Sequence, residues 1–164
     1  MEDWIKAVGD FFAWPRPGKL VLFGVGNPIK RDDSVGLYIA ARLRSSLGAA
    51  PSPRVNIHRP VDRAELAISK LDLRSSRLLV FDAVEAGKPP GSIIFANMDE
   101  TKYGFFVTHN IPLRLLPSIR ENGKNVFVLG VQPHDLGIGE GPSELMMPIA
   151  EEVVSVISGC IGGA

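Results

Sequence analysis

The sequence is short of several things, and each shortage removes a class of protein. It has one cysteine, Cys160, in the glycine-rich run Ser158-Gly159-Cys160-Ile161-Gly162-Gly163. No internal disulfide can form, and the composition suits a reducing cytosol. No apolar run approaches the roughly 18 residues of a membrane span. The opening Met1-Glu2-Asp3-Trp4 is acidic and leads into no apolar signal core, so export and membrane insertion are not expected and a cytoplasmic protein is. Charge of one sign is also missing. Lys and Arg total 18 and Asp and Glu total 18, so no long-range attraction draws the chain to nucleic acid.

Familiar chemical signatures are absent as well. Gly24-Val25-Gly26-Asn27 resembles the start of a dinucleotide fingerprint, but Ile29 stands where its third glycine belongs, and no matching acid follows the second strand. Gly18-Lys19-Leu20 precedes a strand instead of following one, so there is no phosphate-cradling loop. Gly141-Pro142-Ser143-Glu144-Leu145 lacks the closing glycine of a nucleophile elbow, and no His-Glu-x-x-His helix is present. Cys160, on what reads as a flexible tail with no histidine near it in sequence, makes a poor nucleophile.

What is present reads as one α/β domain. The 164 residues, 45% hydrophobic and 22% charged, are enough for a single substantial core. Trp4, Ile5, Val8, Phe11 and Phe12 recur at helical spacing, which predicts an amphipathic helix over residues 3 to 13, ended by Pro15-Arg16-Pro17. This extension, residues 1 to 17, either docks on the core or offers its aromatics to a partner; the main domain is expected over residues 18 to 160. The continuous apolar run Leu20 to Val25 predicts a strand covered on both faces. A helix containing Val35, Leu37, Tyr38, Ala41 and Leu43 is expected to begin at Asp32-Asp33. Further strands are expected over Arg54 to His58, Leu78 to Phe81, Ser92 to Ala96 and Val126 to Val131. Helical stretches fall near 63 to 70, 110 to 121 and 147 to 157, with Pro148 in the first turn or at a kink of the last. The alternation argues for a largely parallel sheet with helices on both faces, and the stretches 87 to 91 and 133 to 142 are loops.

In such a sheet, ligands bind outside the carboxyl ends of the strands. Three side chains are candidates for that rim: Asp33 after the first strand, Asp82 ending Leu78-Leu79-Val80-Phe81, and His109 in Thr108-His109-Asn110 at the head of a helix. Each has a plainer use. Asp32 and Asp33 could cap a helix, and Asp32 is assigned that role here; Asp82 could accept turn N–H bonds; His109 could simply start its helix. Together, two carboxylates and an imidazole form a donor set suited to a divalent ion with open coordination positions. His58 reads as a satisfied surface histidine, and His134 lies on the long loop after the last strand, expected to touch substrate and not metal.

The ordered motifs Gly24-Val25-Gly26-Asn27 with Asp32-Asp33, Phe81-Asp82-Ala83-Val84 with Gly87 and Pro90-Gly91, Thr108-His109-Asn110-Ile111-Pro112-Leu113, and Gly130-Val131-Gln132-Pro133 resemble the nickel-iron hydrogenase maturation endopeptidases. The likeness runs from Leu20 to Ile157 and is nearest the type serving energy-conserving hydrogenases. It implies a three-layer sandwich around a twisted five-stranded sheet, and a client: the precursor of the hydrogenase large subunit, trimmed near its C-terminus after nickel insertion. It implies further that Asp33, Asp82 and His109 complete the shell of a nickel ion borne by that client, the free enzyme holding no metal. The ion could then act as a Lewis acid on the carbonyl, or Asp33 or Asp82 could act as general base on a water. Relatives often carry an acidic-Gly-Gly segment after the second strand, where this chain reads His58-Arg59-Pro60-Val61-Asp62. A groove of different local shape is expected there. The alternatives are a nickel-binding or large-subunit-docking chaperone that cuts nothing, and an unrelated metal hydrolase acting on a small molecule.

Overall fold

The computed structural model describes residues 3–15, 17–58, 69–99 and 121–162. Among these, the chain forms helix α1 (Asp3–Phe12), strand β1 (Leu20–Gly24), a 3-10 turn (Arg31–Ser34) running into helix α2 (Val35–Leu47), strands β2 (Val55–His58), β3 (Arg77–Ala83), β4 (Ile93–Asn97) and β5 (Val126–Val131), and helix α3 (Met146–Gly162). The five strands make one sheet in the order β2-β1-β3-β5-β4. β2, β1, β3 and β5 are mutually parallel, while β4 runs antiparallel to β5 at the edge. The fold is the expected five-stranded, largely parallel α/β sheet.

The strand sequences follow from their surroundings. Every residue of β1 is buried, as is the middle of β3, and both sit inside the sheet with side chains packed above and below. Such strands need apolar side chains at every position. On one face Leu20, Leu22, Ile57, Leu79, Phe81 and Leu129 meet Val8, Phe11, Ile39, Leu43, Ala150, Val153 and Ile157 of the three helices. On the other, Val21, Phe23, Leu78, Val80, Val126 and Val128 are equally buried and include Leu73 in their cluster. All three described helices lie on the first face. The helical stretches expected near 63 to 70 and 110 to 121 fall almost wholly outside the described residues, as do most of the segment beginning at Arg59 and the whole motif around His109.

Of the two readings of α1, docking on the core is the one observed: Trp4, Val8, Phe11 and Phe12 are buried, and the Phe11 ring meets Phe12 edge-on at 5.2 Å and Phe127 at 5.4 Å. One expectation is corrected: the glycine-rich stretch is not a tail. α3 continues through Gly159 and Cys160 to Gly162, because Ile157 and Ile161 bury the same helical face as Val153 and Val154. That packing outweighs the poor helix propensity of glycine. Pro148 falls in the first turn of α3, where its missing N–H costs little. No described helix is long and apolar enough to cross a membrane.

α2 lies directly on the sheet. A Cβ on Gly24 would stand 2.2 Å from the Gly36 carbonyl oxygen, and one on Gly36 would stand 2.1 Å from that of Phe81. Only hydrogen fits at these positions, so the helix start is pressed against the carboxyl ends of β1 and β3.

Candidate active site

The site is built where β1 and β3 end. After β1 the chain turns through Gly26, whose φ of 147° favours glycine and whose Cβ would meet the Asp33 carbonyl at 2.0 Å. Asn27 then donates its backbone N–H to the Asp33 carbonyl (3.3 Å), and Asp33 donates its own to Lys30 (2.8 Å). This tight turn sets the half-buried Asp33 on the 3-10 turn at the head of α2, packed against β3.

Asp82 is the penultimate residue of β3. It is fully buried, and its Oδ1 accepts the N–H of Ala83 at 2.8 Å. It stands on the face of Leu78 and Val80, opposite the three helices. Asp33 and Asp82 thus come from adjoining segments at the same carboxyl rim. His109, the third candidate, lies outside the described residues. Among the described residues no group of three or more His, Cys, Asp or Glu side chains is arranged to hold a metal ion.

Asp32 does something other than the expected capping. The 3-10 turn has no side-chain cap, and the Asp32 carboxylate, with no exposure to solvent, turns instead to the loop after β5. Its Oδ2 accepts the N–H groups of His134 (2.9 Å) and Asp135 (2.8 Å), and its Oδ1 accepts that of Ser143 (2.7 Å). Burial pushes this carboxyl upward, but the N–H groups of Asp135, Ser143 and His134 together outweigh it, and the pKa falls below the ordinary 3.8. Backbone pairing completes the join. Asp32 N–H donates to Asp135 (2.9 Å), Arg31 N–H to Gly139 (3.1 Å) and Gly139 N–H to Ile29 (3.0 Å). The 133 to 143 loop is therefore sewn to the turn that carries Asp33.

A second organiser, Gln132, also went unread in the sequence. Its Oε1 accepts the N–H groups of Ala86 (2.8 Å) and Lys88 (3.2 Å), and its backbone exchanges bonds with Gly91 and Ser92. The Gly87 and Pro90-Gly91 loop is thereby fixed beside the end of β3. Both organisers are polar residues flanking recognised motifs, and the Gly130-Val131-Gln132-Pro133 run was the available signal for one of them.

Three other residues have distinct positions in the fold. His58 closes β2, paired in register with Phe23. His134 is exposed and enters the site through its backbone N–H. Cys160 is half-buried on α3, and burial raises its thiol pKa. Fourteen residues of helix rise separate it from Met146, about 21 Å at 1.5 Å per residue, which removes it from the rim where α3 begins.

The chain is similar to known proteins over most of its length. The family model of the HycI hydrogenase maturation proteases matches residues 64–161. The chain is 30% identical over 145 residues to the hydrogenase 3 maturation protease of Escherichia coli, covering 87% of this chain and 90% of that protein. A crystal structure of a NiFe hydrogenase maturation protease HycI from Thermococcus kodakarensis superposes with a TM-score of 0.71 at 27% identity, covering 95% of this chain and 99% of that one. A solution structure of an endopeptidase HycI from Escherichia coli gives 0.64 at 29% identity, covering 86% and 90%.

Proposed function

Because the chain belongs to the hydrogenase maturation protease family, we propose that it removes a C-terminal extension from the precursor of a nickel-iron hydrogenase large subunit after nickel has been inserted. Asp33, Asp82 and His109 grip the nickel carried by that client. The observation that carries the reading is the convergence of the Asp33 turn and the Asp82 strand end at one carboxyl rim, in a chain whose relatives are proteases. Two carboxylates with an imidazole supply oxygen and nitrogen donors for a borderline divalent ion while leaving positions for its other ligands.

Using the client's ion as the recognition element solves a discrimination problem. Loaded and empty precursors share one sequence, so peptide contacts alone bind both equally. Bonds to the ion are made only with the loaded form, and the difference in affinity becomes the quality check. Cleavage then needs a polarised carbonyl and an activated water. The nickel serves as Lewis acid, or one of the two aspartates takes the water's proton.

The test is to incubate the purified protein with nickel-loaded and nickel-free precursor and to follow precursor mass. Shortening of the loaded form alone is the expected result. Equal shortening of both would overturn the nickel gate, and a stable complex with an intact tail would favour the non-cleaving chaperone. Asp33→Asn separates the two roles of that carboxylate. A base lost from the reaction lowers kcat with binding retained, whereas a ligand lost from the ion weakens binding of the loaded client.

A further inference from the structure

The large exposed apolar side chains of the described residues are not scattered. Among the described residues, four large hydrophobics are exposed: Ile29 (58%), Leu136 (40%), Ile138 (87%) and Leu145 (47%). One lies on the turn between β1 and the 3-10 segment, and the other three lie on the loop between β5 and α3. These two segments are the pair joined by the Asp32 carboxylate and by the Lys30 to Gly139 bridge.

Their rigidity gives the exposure its meaning. A loose loop can fold its apolar side chains away, but this one is tied by three N–H groups to a buried carboxylate and by backbone bonds at Ile29, Arg31 and Asp32. Its Leu and Ile side chains are held outward against water. A concentrated, fixed apolar patch of this kind marks a surface that another molecule covers. Ile29 is bonded through its carbonyl to Gly139, which places it beside Ile138, and it lies four residues before Asp33. The patch therefore begins on the same turn that carries Asp33.

Charge narrows the occupant. From Gln132 to Met147 the loop carries Asp135, Glu140 and Glu144, all exposed, and no Lys or Arg. Lys30 and Arg31 supply the cations on the facing turn, and the Arg31 side chain lies across Gly139. The exposed loop is thus apolar with an acidic border.

Building on the proteolytic reading above, we infer that Ile29, Leu136, Ile138 and Leu145 dock the client precursor next to its scissile bond, through a segment that presents apolar side chains flanked by basic ones. The patch sits beside the reacting groups, so the part of the client that meets it is the part entering the cleft. It supplies affinity common to loaded and empty precursor, leaving discrimination to the ion.

The experiment measures tail release from purified nickel-loaded precursor over a range of precursor concentrations, with the wild type, Ile29→Ser with Ile138→Ser, Leu136→Ser, and Glu140→Gln with Glu144→Gln. Thermal melts check that folding is unaffected, and sedimentation follows self-association. Loss of two apolar anchors should raise KM at least about tenfold while kcat at saturation stays unchanged. The glutamine pair should raise KM and flatten its dependence on salt. If the wild type cuts and the serine variants share its KM, the docking surface is refuted while the protease reading stands. A wild type that self-associates, with monomeric serine variants of unchanged KM, would overturn the inference in favour of a contact between copies. If the wild type releases no tail, the protease reading fails and this inference falls with it.

Discussion

Replacing Asp32 by Asn keeps the shape of the side chain and removes its charge, which makes it a direct probe of the loop clamp. The carboxylate accepts two N–H groups on Oδ2 and one on Oδ1. An amide has one oxygen. Facing it toward His134 and Asp135 turns the NH2 group onto the N–H of Ser143; facing it the other way leaves two N–H groups against a donor. At best one bond to a charged acceptor is lost and two part-buried donors are forced together, a cost of about 1–3 kcal/mol. Asp32→Ala, with three part-buried N–H groups deprived of their acceptor, should cost about 2–4 kcal/mol. Urea unfolding at neutral pH reads both, and hydrogen exchange at the amides of His134, Asp135 and Ser143 reads the loop locally. The pH dependence has a definite sign. The folded pKa lies below the ordinary 3.8, so ionised Asp32 stabilises the fold at every pH above that value and the gain is lost as pH falls through the depressed folded value. The gap between wild type and Asn variant should be constant above about pH 5 and close on acidification. An Asn variant within about 0.5 kcal/mol of wild type, or a gap that widens in acid, would refute the clamp.

Four further predictions come from the fold. Phe11→Ala should destabilise the protein by about 3–5 kcal/mol in urea, since the ring is buried and abuts Phe12 and Phe127. Deleting residues 1 to 16 should give an unfolded product by circular dichroism for the same reason. Gly36→Ala should lower stability by about 1–3 kcal/mol or more, because the new methyl would fall 2.1 Å from the Phe81 carbonyl oxygen and lift α2 off the sheet. Cys160→Ala should leave the rate of precursor cleavage unchanged, and inhibition by a thiol reagent that this variant abolishes would show the reverse.

The strands were legible wherever burial leaves its mark on composition. Val126 to Val131 is apolar at almost every position because neighbours flank it on both sides, and its limits agree with β5. β3 extends beyond its expected range, to Arg77 at one end and Ala83 at the other, with Asp82 inside the strand. No apolar pattern could signal a buried aspartate. The direction of β4 was not legible, since half-buried residues pair equally well either way. α3 was read short because Gly159 and Gly162 argue locally for coil, while the contacts of Ile157 and Ile161 that hold it helical are made with distant parts of the chain. At the candidate site, Asp33 and Asp82 were chosen for their positions near strand ends, and the fold brings their two segments to one rim. Asp32 was misassigned because capping is a local rule, and its partners lie 102, 103 and 111 residues away.

Those separations also order events during synthesis. Closing a loop of about a hundred residues is entropically costly and slow compared with forming α2 or a neighbouring strand pair. Until His134 and Asp135 have left the ribosome, the Asp32 carboxylate lacks all three of its loop partners, and the brace on the turn bearing Asp33 is complete only once Ser143 follows. The turn that carries Asp33 is accordingly among the last parts of the fold to set, later than β1, α2 and β3, whose contacts are closer in sequence.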